Sequence, residues 1–586
     1  MKKLVYITTF ACAFGFSSCA DMFLDLEPLD TKTDLVYFQT PEHFMEYSTG
    51  LYNQLIGWQC RYGSIFDHMD CSSDLSTYFG NSADLGFGTI TVGANDGRWD
   101  NCYANIRAIN MLFQKADSYS GDKEEIQQSL GEGYFFRAYT YFYLLKFFGG
   151  VPVVKGVLDV DSPELYSERD SRYDVVDFIL EDLDKAIERL PNEQSLSSDD
   201  KGRITSGGAK AFKARVLLYE ATWRKYNSTS TDFEGSEGPK SDQVNEFLDE
   251  AIKLCEDVMG DSTYKLWNYN NIAGMENMSS RYLFNIEDET SNPAGKGKSD
   301  NHEFIIYSVY DATTRPASIE LNQTIWKLTP SRKLIDMFLC TNGLPISGNP
   351  LFKGYEHPGE EFDNRDYRLK SYIGRPDENT NLTGGAAGYT SYKFAITSRT
   401  PSNKDEHANY PVLRLAEVYL NYAEAVYERY GEIKNEQLDK SINNLRDRAG
   451  VAHLSNELVQ NNNLDMLTEI RRERTVELYM EGFRYDDLKR WGKLEEELNE
   501  SRCGMVVGDA DYKTDFVDDD GNAIPGRFTP NVYVWGTEKV ETGEGMQTCV
   551  VLTSKSNISV SKNDYLWPIP SRQIELNPKL QQNPGY

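Results

Sequence analysis

The chain has 586 residues, enough for several domains or one large one, and a formal net charge of −30. So acidic a surface repels phosphate backbones, which argues against nucleic-acid binding, and it disfavours broad docking on anionic lipid. Hydrophobic content of 40% with 12% aromatics is ample for a folded core and excludes a disordered chain.

The first element is MKKLVYITTFACAFGFSSC. Lys2 and Lys3 form a positive start, and the apolar run Leu4 to Phe16 is shorter than the roughly 20 residues needed to span a bilayer. It suits a secretory leader instead. Ser17 and Ser18 stand directly before Cys19, which resembles a bacterial lipobox with Phe16 where leucine is usual. The expectation is that residues 1–18 leave and Cys19 carries lipid. The alternative is ordinary cleavage near Ser18, with Cys19 an incidental thiol. No later segment is long and apolar enough for a membrane-spanning helix. Beyond Cys12 and Cys19 the cysteines are scattered, without CxxC or metal-type spacing, so neither zinc nor a dense disulfide framework is indicated. Cys60 and Cys71 are near enough to pair, but no pattern requires it.

Helical patterns then dominate. GEGYFFRAYTYFYLLKFFGG (131–150) reads as a buried helix stopped by Gly149, Gly150 and then Pro152. YDVVDFILEDLDKAIERLP (173–191) spaces Val176, Ile179, Leu180, Leu183 and Ile187 on one helical face. SGGAKAFKARVLLYEATW (206–223) offers small residues where another helix can approach. Helices are also expected over 412–431, 437–450 and 467–492. Between them lie long polar stretches, about 60–98, 227–243, 287–325, 343–410 and 500–560, whose aromatics argue for ordered, binding loops.

Catalytic signals are weak. There is no HExxH or GxSxG, and the six histidines are isolated. In the 467–492 segment Glu473, Glu477 and Glu481 recur at i,i+4 beside Arg474, Arg484 and Asp487. Paired carboxylates serve glycoside hydrolysis only when they flank a cleft about 5–10 Å apart; beside arginines, structural pairing is the expectation. GKGKS (295–299) ends like a phosphate loop, but Asn292 stands where its first glycine belongs. DFVDDDGN (515–522) lacks the alternating acids and closing glutamate of a calcium loop and reads more simply as a turn. No cofactor or metal is therefore expected, with calcium at that turn the one alternative.

An ordered series of segments resembles the SusD/RagB family of nutrient-binding outer-membrane lipoproteins of Bacteroidetes. It runs through FLDLEP (23–28), WDNCYANIRAINML (99–112), GYFFRAYTYFYLLKFFGGVPVV (133–154) and GRITSGGAKAFKARVLLYEA (202–221). It continues with LRLAEVYLNYAEA (413–425), INNLRDRAG (442–450), RRERTVELYMEGFRYDDLKRWG (471–492) and YLWPIPSRQIELNPKLQQNPGY (565–586). RDYR (365–368) departs from relatives that carry a proline after the aspartate. The resemblance implies one mainly α-helical domain over 19–586, with family regions at about 23–226 and 280–586. Tetratricopeptide-like helical hairpins would form its scaffold, with long irregular loops and a few short strands. It further implies no catalytic residue, a lipid anchor facing the cell exterior, and a SusC-like TonB-dependent transporter as partner. The ligand implied is an oligosaccharide, with peptide or another nutrient as the alternative and a hydrolase as a remoter one. Asp21, Asp25 and Glu27 resemble the acidic signal that sends such lipoproteins to the outer face.

A sugar site needs aromatic platforms flanked by hydroxyl-binding polar groups. Trp99, Trp267, Tyr269, Trp491 and Trp567 fall within or beside family motifs and are expected to be framework. Outside those motifs, Tyr78, Phe79 and Asn81 sit in one loop and Tyr307, Tyr310, Asn322 and Trp326 in a second, the two neighbourhoods where the family builds its ligand surface. These seven are the candidate ligand-binding residues.

Overall fold

The computed structural model describes residues 37–59, 69–78, 85–356, 359–375, 389–401, 404–506 and 536–586. The leader, Cys19, the FLDLEP segment, Cys60 and the 515–522 turn lie outside them. The first helices are α1 (Pro41–Leu51), α2 (Gly97–Asp117), α3 (Gln127–Phe148), α4 (Arg172–Arg189), α5 (Ser206–Asn227) and α6 (Val244–Met259). The C-terminal half adds α7 (Leu415–Tyr430), α8 (Asn435–Asp439), α9 (Ile442–Ala449), α10 (Met466–Glu477) and α11 (Arg484–Arg490), besides shorter helices. Helices α2 to α6 pack each on the next, α6 packs on α7, and α7 on α10. Most buried apolar side chains from Phe38 to Ile569 form one contiguous cluster, and Leu339, Ala449 and Val451 form a small second one.

Local chemistry accounts for these helices. In α3 nearly every side chain from Phe135 to Leu145 is buried, because α1, α2 and α4 pack around it. Ser171 and Thr205 cap α4 and α5 by accepting from the backbone N–H of Asp174 and Gly208. Buried Ala209, Ala211, Ala214 and Ala221 in α5 leave room for close helix approach. Helix α9 ends at Gly450, whose φ of +66° suits glycine and where a Cβ would lie 2.1 Å from the Tyr367 ring.

Three expected helices differ, and the one over 437–450 is broken at Lys440 and Ser441 into α8 and α9. Residues Tyr410–Arg414 are a strand, β6, paired antiparallel with β2 (Phe304–Ser308), and the helix starts only at Leu415. The 467–492 segment is two helices, because Met480 (φ +64°) and Gly482 (φ +77°) turn the chain between α10 and α11. That turn aims the Met480 backbone N–H at a buried Asp70 carboxylate oxygen, 2.6 Å away.

The glutamates of this segment are structural, and most of their partners come from elsewhere in the chain. Glu477 is fully buried and pairs with Arg368 (2.8 Å), Arg414 (2.7 Å) and Arg448 (2.6 Å). Glu303 pairs with Arg414 and Arg448, Glu481 with Arg414 and Lys393, and Glu473 with Arg446 and Arg368. Burial alone would raise the Glu477 carboxyl, but Arg448, Arg414, Arg368 and Lys393 outweigh it and hold the group well below the usual range. Carboxylates buried and paired in this way are not presented to a substrate cleft. Arg474 bonds Asp487 across the turn (2.7 Å), and Arg484 reaches Asp74 (2.7 Å).

Removing one partner of a buried ion pair costs about 3–5 kcal/mol, because the others stay desolvated. Glu477→Gln, which leaves three arginines short of one carboxylate, is expected to destabilise the fold by about that amount in urea unfolding. A loss under about 1 kcal/mol would show that water replaces the carboxylate.

Candidate ligand-binding surface

The two loop neighbourhoods singled out in the sequence meet at one ladder. Strand β1 (Ser76–Tyr78) pairs antiparallel with β3 (Leu328–Pro330) in the register Ser76↔Pro330, Thr77↔Thr329 and Tyr78↔Leu328. Tyr78 is half-buried at the end of the ladder that the short helix Leu321–Trp326 enters. Phe79 and Asn81 lie outside the described residues. Trp326 closes the short helix, so its backbone stands two residues from the partner of Tyr78.

Beneath that helix the chain is fixed by polar contacts. The Asn322 side-chain amide donates to the Ile396 carbonyl and its oxygen accepts from the Ile396 N–H, both at 2.7 Å. Glu406 accepts from the Leu321 N–H at 3.0 Å, and its own carbonyl accepts from Ala317 N–H at 2.7 Å. Asn322 is only 6% exposed and both ends of its amide are engaged. It is a brace for the short helix and not, as its place in the loop implied, a hydroxyl-binding group.

Tyr310 is likewise corrected. It is 2% exposed, its ring centroid 6.5 Å from that of Trp58, with its hydroxyl against Gly57, where a Cβ would lie 2.3 Å away. Arg315 covers the ring at 5.0 Å. A ring enclosed in this way offers no stacking face to a sugar. Trp58, itself buried, donates from Nε1 to the Ala408 carbonyl (2.8 Å) and meets Tyr410 and Phe394 edge-on. Tyr307 is half-buried and packs on Gly202 and near Phe304, neither of which belongs to the β1–β3 ladder. Burial pushes its phenol up to about 12.

The remaining aromatics behave as framework: Trp99, Trp267 and Trp491 are buried, and Trp567 lies under the Arg98 guanidinium at 4.1 Å. Lys298, in the GKGKS run, donates to the carbonyls of Tyr310 (2.7 Å) and His407 (2.6 Å), tying two loops together. Burial lowers its ammonium to about 8. The exposed turn Ala312–Thr314 is closed by Asp311, whose carboxylate accepts from the Thr313 and Thr314 N–H groups and is held well below the usual range by those bonds and the threonine hydroxyls.

Sequence reasoning missed the anchors of β1. Asp74 pairs with Arg484 and with Lys333 (2.8 Å), and Ser331 donates to the Asp74 carbonyl (2.7 Å). Asp70 takes the Met480 N–H and is raised to about 7 by burial, which the backbone donors only partly offset. The only signal in the sequence was the acid-and-serine run DCSSDLS (70–76), which reads as a loop. Among the described residues no group of three or more His, Cys, Asp or Glu is placed to hold a metal ion, and the six cysteines there are buried. No described helix is long and apolar enough to cross a membrane.

Comparison with known proteins agrees with this architecture. The SusD family model matches residues 375–586, and a second family model, described as starch-binding and associating with the outer membrane, matches residues 22–218. A SusD-like protein of Bacteroides ovatus is 26% identical over the whole chain and 97% of its own length. A SusD-like carbohydrate-binding protein of Bacteroides fragilis shares the fold with a TM-score of 0.68 at 21% identity, covering 93% of this chain and 99% of that one. A laminarin-binding SusD-like protein does so with a TM-score of 0.56 at 20% identity, covering 94% of this chain and all of that one. The chain belongs to the SusD/RagB family, and its fold is SusD-like.

Because Tyr310 is part of the support under this surface, Tyr310→Ala is expected to cost about 3–5 kcal/mol, the range for large aromatic truncations in a core. Urea unfolding checks it; unaltered stability would mean that the ring is not packed as described.

Proposed function

We propose that this protein is a non-catalytic, surface-exposed lipoprotein that captures oligosaccharides and delivers them to a TonB-dependent transporter of the outer membrane. The family match carries the reading: its N-terminal model describes starch-binding proteins that associate with the outer membrane. Proteins of the same fold that bind carbohydrate, laminarin among them, support it further. The pairing of Tyr78 with Leu328, two residues past the Leu321–Trp326 helix, supports the ladder end as the place of contact.

The mechanism is selective affinity. Sugar C–H faces stack on exposed rings, and hydroxyls bond to neighbouring polar groups, with no bond broken. Each stacking contact contributes about 0.5–1.5 kcal/mol beyond buried area, so a few give affinities of about micromolar to millimolar. Cys19 supplies the anchor. One acyl chain holds only marginally and several hold firmly, so the thiol and new amino terminus together carry the lipid.

Calorimetry over a panel of purified polysaccharides is expected to find one that binds in that range, with Tyr78→Ala and Trp326→Ala each weakening it about 3- to 10-fold, as one lost stacking contact implies. Full affinity in both variants would sink the ladder end as the site. Labelled palmitate is expected to enter the wild-type protein and not Cys19→Ala; labelling of both would remove the anchor from Cys19.

A further inference from the structure

Between the short helix Ser279–Tyr282 and residues 363–375 lies a cavity of about 650 Å³, within the range of roughly 300–1,000 Å³ typical of small-ligand sites. Its charge runs against that of the molecule. Acids outnumber bases by 91 to 61 over the chain, yet Arg281, Arg365, Lys370 and Arg375 line this cavity against Glu276 and Asp363. Asp363 is already taken by Arg375, at 2.7 Å. Arg365 spends its terminal nitrogens on the carbonyls of Glu361, Ile335 and Phe338.

Arg281 is different. Buried arginines such as Arg368, Arg414 and Arg448 are saturated with carboxylates, but Arg281 makes no ion pair or side-chain hydrogen bond among the described residues. Its guanidinium lies 4.5 Å from the centre of the Tyr392 ring, and its Nε is enclosed without a partner. Burial lowers the guanidinium's affinity for its proton, as expected of a desolvated cation with no protein anion beside it. Lys370 is exposed at the same cavity, its ammonium 5.6 Å from the Tyr367 ring centre, and it too has no carboxylate partner among the described residues. A guanidinium held over a ring without a carboxylate partner suits a planar or tetrahedral oxyanion, which it binds through two parallel hydrogen bonds.

The cavity also connects to the surface described above. Strand β5 (Thr390–Ser391) pairs with β4 (Ile373–Gly374), and the same segment runs from Tyr392 in the cavity wall to Ile396, which holds Asn322. Four residues of chain span at most about 14 Å, a few sugar units.

We propose that this cavity binds the carboxylate or sulfate group of an acidic saccharide, with Arg281 as the residue that receives it. This rests on the glycan-binding reading and narrows it from sugars in general to anionic ones.

The test is calorimetry on the purified full-length protein with two matched pairs: oligogalacturonate against its methyl ester, and a sulfated oligosaccharide against its desulfated form. At low salt at least one acidic member is expected to bind tenfold or more tightly than its neutral partner, and the pair that shows the preference identifies the anion. The preference is expected to shrink as sodium chloride is raised, a measurement that needs no variant. Arg281→Gln is expected to abolish it, and Arg281→Lys, which keeps the charge and loses the fork, to retain only part. Equal affinity for acidic and neutral members, or a full preference in Arg281→Gln, overturns the proposal and leaves neutral glycan binding standing. No binding by any saccharide overturns both.

Discussion

Glu477 receives charge-assisted hydrogen bonds from three arginines that reach it from three separate segments, and the loops of the candidate surface are hung on those segments. Arg414 ends β6, the strand that holds β2 and so leads to Tyr310. Lys393, bound to Glu481, precedes the stretch that braces Asn322, and Arg368 shares the short helix Tyr367–Tyr372 with Tyr367 and Lys370 of the Arg281 cavity. In this cluster Arg368, Lys393, Arg414, Arg446 and Arg448 face Asp366, Glu303, Glu473, Glu477 and Glu481, one for one. Buried ion pairs are a poor source of net stability, because desolvation offsets most of the attraction. What this one supplies is geometry: apolar packing tolerates sliding, whereas an arginine fork accepts a carboxylate in few arrangements.

Division of labour follows from that. The N-terminal helices close their caps and apolar faces with near neighbours, so each is nearly self-sufficient. The loop half has local turns, such as those closed by Asp311 and by Asn292 with Lys296, but these do not fix the loops on one another. It relies on directional bonds between residues far apart in the chain, such as Ser331 to Asp74, Trp58 to Ala408 and Lys298 to His407. Loops positioned this way can be long without being loose, which suits a surface that recognises a ligand by shape.

The same division decides what the sequence reveals. Helices α3, α4 and α5 were legible from an apolar run stopped by Gly149 and Gly150, from apolar spacing stopped by Pro191, and from small residues that let a neighbouring helix approach. The strand Tyr410–Arg414 was not, since a short apolar run abutting a helix carries no period of its own. Nor was the break at Met480, a non-glycine residue held in the left-handed region by its donation to Asp70. At the candidate surface, residue type pointed to two neighbourhoods that the structure brings together at the β1–β3 ladder, but it did not separate their buried members from the rest. Tyr310 and Asn322 are buried by Trp58, Arg315 and Ile396, none of them apparent from the local sequence as a partner. Arg281 carried no signal at all, because what distinguishes it is the missing carboxylate.

The pairing of Asp74 with Arg484 spans 410 residues. A ribosome adding about 5–20 residues per second needs roughly 20 to 80 s to cover that distance, during which β1 has neither of its C-terminal anchors. Strand β3, Ser331 and Lys333 precede those anchors, so the β1–β3 ladder can pair first and gains the Met480 and Arg484 bonds only once about four-fifths of the chain is made. A chain cut short before Met480 would therefore keep the β3 side of this strand's support and lack the side that Asp70 and Asp74 find in the C-terminal helices.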